Sequence, residues 1–176
     1  MSIPLSQPSS NPRKIPSVIF IENVPEFSSQ YGVESILNQL NELYSKYKFM
    51  EAQLLRSKQV LTAKLPDITN ALETVNYLVS ADKDLILDFQ LSDALWTKAE
   101  VPRSNTVALW LGANVMLEYS HEEAKELLEK NLSGAQTALD STNEDLKFLK
   151  EQITVCEVNV SRVYNYSVYL RQHQAK

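Results

Sequence analysis

The side chains best suited to chemistry in this chain of 176 residues are two histidines, one cysteine and a cluster of glutamates, and their spacing argues against a reaction centre. His121 falls in the predicted first turn of a helix and His173 near the C-terminal end, and neither has a cysteine or a second histidine close enough in sequence to build a tetrahedral metal site. Cys156 lies on an apolar seven-residue repeat, where a small core residue is expected rather than a nucleophile. Gly112, in Leu-Gly-Ala-Asn, follows a strand-like run, but a single glycine cannot cradle a pyrophosphate and is read as a strand bend. Glu122, Glu123, Glu126 and Glu129 read as a solvated helix face whose charge suits a helix N-terminus. The N-x-S/T triplets at Asn131, Asn159 and Asn165 sit inside a predicted helix and are read as chance matches. No catalytic, metal or cofactor site is expected, and the chain is not read as an enzyme.

Binding surface remains, in two groups. Leu37, Tyr44, Phe49, Tyr164, Tyr166, Val168 and Tyr169 are apolar residues that lie off the main repeat near the ends of two predicted helices. A two-stranded seam cannot cover them fully, and a broad apolar surface at the extremity of a protein usually marks a binding site; the alternative reading is that these rings widen the seam or fray with the terminus. The second group, Val107, Leu109, Trp110, Leu111, Val115 and Leu117, belongs to short strands too few to bury both of their own faces.

Two helical arms must position these groups. Ile36, Leu40, Leu43, Tyr47, Met50, Leu54, Ser57, Leu61, Lys64, Ile68, Ala71, Val75 and Leu78 alternate steps of four and three, and eleven of the thirteen are apolar. The rhythm returns at Leu128, Leu132, Ala135, Leu139, Thr142, Leu146, Leu149, Ile153, Cys156, Val160, Val163, Ser167 and Leu170, again with eleven of thirteen apolar. A composition 44% hydrophobic would supply about six, so each repeat is a coiled-coil seam. Pro66 interrupts the first run, yet the phase continues through it, which favours one kinked helix over two. Between the runs the period falls to two. Leu85, Leu87, Phe89 and Leu91 alternate with polar neighbours, Leu95 to Val101 resume after a turn, and 107–111 and 115–119 follow, making two hairpins. Ser120 with Glu123 is a capping box that opens the second helix.

The expected class is therefore α+β and mostly helical: a long antiparallel two-helix coiled coil joined by two short β-hairpins that contribute to an oligomeric β-barrel. Residues 1–27 are expected to be a flexible tail, since residues 1–16 hold four of the seven prolines and few apolar groups. The apolar patch Ile19, Phe20, Ile21 and Val24 is too short to fold alone. Residues 28–176 are expected to form one domain, with helix 1 at about 28–83, hairpins at about 84–119 and helix 2 at about 121–173. With the hairpins taken as the centre of the fold, Leu61 is expected near Leu149 and Met50 near Val160. A net charge of −5 with scattered lysines and arginines offers no basic face for nucleic acid. One cysteine, no long apolar run and no apolar leader point to a soluble intracellular protein outside the membrane.

The block VALWLGANVMLEYSHEEAKELLEKNL, together with KYKFME, LPDI, KAEVP and EVNVSRVYN, resembles the alpha-type subunits of prefoldin over about residues 15–168. Near the helix ends the eukaryotic pattern Ala-Arg-Val-Tyr-Asn-Trp-Asp is replaced here by Ser-Arg-Val-Tyr-Asn-Tyr-Ser, residues 161–167. The resemblance implies a cytoplasmic hetero-hexamer of two alpha-type and four beta-type subunits, with coiled coils hanging from a double β-barrel. It further implies ATP-independent capture of unfolded actin and tubulin at the coiled-coil tips and their delivery to the cytosolic chaperonin. A structural coiled-coil adaptor, or a subunit of a prefoldin-like complex with no holding role, is the alternative reading.

Overall fold

The computed structural model describes residues 3–8, 11–81 and 84–174. They form β1 (Ser6–Gln7), β2 (Ser17–Val18), α1 (Val24–Tyr31), α2 (Val33–Ser80), β3 (Leu85–Ser92), β4 (Leu95–Val101), β5 (Thr106–Gly112), β6 (Val115–Ser120) and α3 (His121–Gln174). The chain divides into two units, one made of the residues up to Val60 and from Leu139 onward, the other of Leu61 to Ala138.

Both long helices follow the seven-residue repeat. Every apolar member of the two repeats is buried or half-buried, and the exposed members of the first are its polar pair, Ser57 and Lys64. In the first unit the core gathers Ile36, Leu40 and Tyr47 of α2 with Leu149, Ile153, Cys156 and Val163 of α3. In the second, Val75 of α2 packs with Ala124 and Leu128 of α3. Higher numbers on one helix meet lower numbers on the other, so the pairing is antiparallel. Its register differs from the expectation: Leu40 and Tyr44, rather than Met50, face the Cys156–Val160 stretch, with Cys156 Sγ donating to the Leu40 carbonyl at 3.5 Å.

α2 runs unbroken through an exposed Pro66. Proline cannot donate to the carbonyl four residues back and crowds it, a defect of about 3 kcal/mol in a helix interior. Pro66→Ala is therefore expected to raise helicity and thermal stability when the assembled protein is melted and followed by circular dichroism. A lower melting temperature would show that the turn at Pro66 is required by something other than helix continuation.

The N-terminal boundary corrects the reading of a single helix from about residue 28. Asn23 caps α1, accepting from the Glu26 N–H and donating to the Glu26 carboxylate at 2.9 Å, with Pro25 in the first turn. Gly32, at φ +77°, then ends α1 and lets the chain turn into α2. Helix 1, expected to reach about residue 83, ends at Ser80, and residues 82–83 lie outside the described residues.

The two hairpins are separate two-stranded antiparallel sheets, β3 with β4 and β5 with β6. Register shifts fall between Gln90 and Ser92 and between Trp110 and Gly112. Gly112 (φ +91°), Ala113 (φ +49°) and Asn114 (φ +62°) form the second turn, the left-handed geometry that favours the two-residue connections of hairpins. Ser120 and Glu123 make the capping box, the Ser120 N–H donating to the Glu123 carboxylate at 3.0 Å and the Glu123 N–H to Ser120 Oγ at 3.3 Å. Ser120 Oγ also donates to that carboxylate at 2.8 Å, and this bond, with the one from the Ser120 N–H, holds the Glu123 carboxyl below its ordinary pKa.

Candidate functional site

The largest departure from expectation is the N-terminal segment. Instead of a flexible tail, the described residues from Ile3 onward lie against the helices of the first unit, and Ile3, Leu5, Ile15, Val18, Ile21 and Val24 are buried in its core. Too few apolar residues lie here to drive folding alone, so the order must come from the surface beneath. α3 supplies it through Asp145, Gln152 and Asn159, polar residues spaced by seven beside the apolar seam and all buried. Gln152 Oε1 accepts from the Val18 N–H at 2.8 Å. Asn159 accepts from the Ile21 N–H at 3.1 Å and donates to the Ile19 carbonyl at 2.8 Å. Asp145 takes Asn11 Nδ2 at 3.1 Å and forms an ion pair with Arg13 at 2.8 Å.

Further hooks come from both helices. Arg162 donates to the carbonyls of Ile21 and Glu22, and its guanidinium lies 4.8 Å from the centre of the Phe20 ring. Tyr47, fully buried on α2, donates its hydroxyl to the Pro16 carbonyl at 2.8 Å, and Gln39 accepts from the Ile3 N–H at 3.2 Å. Burial pushes the Tyr47 phenol up to about 12 and the Cys156 thiol up to about 11, so both stay protonated and Cys156 is inert as a nucleophile near neutral pH. A sequence signal for this strap existed in the polar residues at 145, 152 and 159, whose period matches the seam, but it is invisible without knowing that a third segment lies over them. Asn159, one of the three glycosylation triplets, is consumed by this contact and fully buried.

The candidate tip residues all belong to the first unit but divide by exposure. Leu37, Tyr44 and Tyr166 are half-buried against the core. Tyr44 donates to Glu157 at 3.2 Å, and the carboxylate raises the phenol pKa. Phe49, Tyr164 and Tyr169 are exposed, at 64%, 54% and 53%. The Tyr169 ring centre lies 6.3 Å from that of Tyr166 and 4.0 Å from that of His173.

The hairpin residues lie in the second unit. Val107 and Leu109 turn inward and pack with Tyr119 on the Val75, Ala124 and Leu128 cluster. Trp110, Leu111, Val115 and Leu117 are exposed. They belong to a set of twelve exposed large apolar side chains between Ile86 and Leu117, including Phe89, Trp96 and Met116. Such density on two open sheets far exceeds the scattered apolar exposure of ordinary surfaces. Beneath the hairpins, a cavity of about 440 Å³ is lined by Ala71, Val75, Leu85, Val101, Leu109 and a half-buried His121, among others. Among the described residues no group of three histidine, cysteine or acidic side chains is arranged to hold a metal, and no helix is long and apolar enough to cross a membrane.

The arrangement of a paired-helix stem and two hairpins matches known proteins. The family model described as prefoldin subunit matches residues 33–166. Prefoldin subunit 3 of Homo sapiens is 47% identical over 163 residues, covering 89% of this chain and 83% of that one. The probable prefoldin subunit 3 of Schizosaccharomyces pombe is 45% identical over 165 residues, covering 93% and 96%. In fold, the chain is similar to one in the cryo-EM structure of filamentous PFD from Methanocaldococcus jannaschii, with a TM-score of 0.52 and 18% identity over 65% of this chain and 94% of that one. With three quarters of its length matched by the family model and nearly half its residues shared with several eukaryotic subunits, the chain belongs to the prefoldin family and is a co-chaperone subunit similar to prefoldin subunit 3.

Proposed function

We propose that this chain works in the cytoplasm as one of two alpha-type subunits in a hetero-hexamer with four beta-type subunits, its hairpins forming part of a shared β-barrel. The complex would hold unfolded actin and tubulin without ATP and pass them to the cytosolic chaperonin. The observation that carries the reading is the apolar load of the hairpins, which pair within themselves and leave aromatic side chains such as Trp110 (60% exposed) uncovered. Burial of each such side chain on a partner strand is favourable by roughly 1.5–3 kcal/mol.

Holding is assigned to the exposed rings Phe49, Tyr164 and Tyr169, with Leu37, Tyr44 and Tyr166 behind them. Each ring offers partial burial only, so affinity must come from several arms acting on one client at once. The test is Phe49→Ser with Tyr164→Ser and Tyr169→Ser in the reconstituted complex. Native mass spectrometry is expected to give the unchanged assembly, whereas suppression of aggregation of denatured actin is expected to fall several-fold. Full suppression by this variant would place client contact elsewhere and favour a purely structural adaptor for this subunit.

A further inference from the structure

We infer that the groove beneath the N-terminal strap is itself a binding site for an extended apolar polypeptide segment, and that the strap is a tethered occupant which an unfolded client displaces. The inference rests on the reading that this end of the coiled coil holds client. It adds a second, deeper site to the exposed rings.

Over residues 16–22 the hydrogen bonds beneath the strap are addressed to main chain, whereas nearer its start Asp145 takes the side chains of Asn11 and Arg13. Gln152 takes one N–H, Asn159 takes a second N–H and gives to a carbonyl two residues earlier, Arg162 gives to two carbonyls, and Tyr47 gives to another. Side chains that bond only to backbone impose no sequence on what they hold. They imitate the edge of a sheet, which accepts any extended strand. The apolar requirement is equally loose: Ile15, Val18 and Ile21, three residues apart, are buried. Any unfolded chain offers such a pattern somewhere. Over residues 16–22 the strap's own side chains are met only by apolar burial and by the Arg162 guanidinium over Phe20.

The strap is also built to leave. Its own sheet is a ladder of two residue pairs, Ser6 with Val18 and Gln7 with Ser17, far below what holds a hairpin by itself. Pro4, Pro8, Pro12 and Pro16 deny it amide donors for a longer ladder. A tether places it near the groove at an effective concentration on the order of millimolar, so it closes the groove against weak ligands while yielding to a client held by several arms.

Amide hydrogen exchange in the wild-type complex tests this without any variant. Saturation with denatured actin is expected to speed exchange at the Val18 and Ile21 amides at least tenfold as their bonds to Gln152 and Asn159 break. Unchanged or slower exchange at both would overturn the inference. A second test uses a complex in which Ile15, Val18 and Ile21 are changed to serine, leaving the groove intact. A fluorescent peptide of residues 11–23 is expected to bind it at least tenfold more tightly than the wild-type complex and to be released by denatured actin. Peptide binding that client does not compete would assign the groove to the strap alone and overturn the inference. Failure of the ring variant to lose holding, with strap release still seen, would refute the exposed-ring site and leave this one standing.

Discussion

Leu111→Asp is expected to prevent co-assembly with the other prefoldin subunits while leaving the chain's own helices formed. Leu111 is 46% exposed in the isolated chain, so an aspartate there meets water and the chain tolerates it. In an assembled β-barrel the same carboxylate would be enclosed without a partner, and burial of an isolated charge costs far more than any one strand contact returns. Leu109 makes a poorer probe because it already packs on Val75, Ala124 and Leu128, and a charge there would damage the unit itself. The measurement is stoichiometry after co-expression, read by native mass spectrometry, with circular dichroism as the check on helicity. A Leu111→Asp chain recovered in a complex of wild-type composition would show that the exposed hairpin faces are not the assembly surface.

The hairpins and stems were legible because their periods are long and regular. Thirteen positions per helix carry the seam, and alternation from Leu85 to Val101 and from Val107 to Tyr119 repeats often enough to stand above noise. Local chemistry fixed the capping box at Ser120 with Glu123 in the same way. The strap was illegible for the opposite reason: its order is tertiary. Ile15, Val18 and Ile21 follow no helix or strand pattern long enough to detect, and the amides of Val18 and Ile21 bond to Gln152 and Asn159, more than 130 residues away. The prolines that read as disorder instead keep the segment extended and unable to pair widely. Gly32 marked the break between α1 and α2 in plain view, and its φ of +77° explains why glycine stands there. The candidate tip residues were found by type, but the sequence could not divide Phe49, Tyr164 and Tyr169, which face solvent, from Leu37, Tyr44 and Tyr166, which pack inward.

Tyr47 joins these two layers of legibility, and its substitutions should separate them. The ring sits on the predicted seam and is fully buried, so Tyr47→Ala removes a large core side chain and is expected to destabilise the first unit by about 3–5 kcal/mol. The hydroxyl reaches beyond the seam to the Pro16 carbonyl at 2.8 Å. Tyr47→Phe keeps the ring and leaves that carbonyl without its donor, a cost of about 1–3 kcal/mol that falls on the strap and not on the helices. Urea unfolding of the assembled protein, followed by helicity, should therefore shift strongly for the alanine variant and little for the phenylalanine variant. Amide exchange at Val18 and Ile21 should rise in both. A phenylalanine variant that loses as much helix stability as the alanine variant would mean the strap and the coiled coil unfold as one cooperative piece. The strap would then be a structural third layer of the stem, too costly to displace for any client bound by shallow contacts.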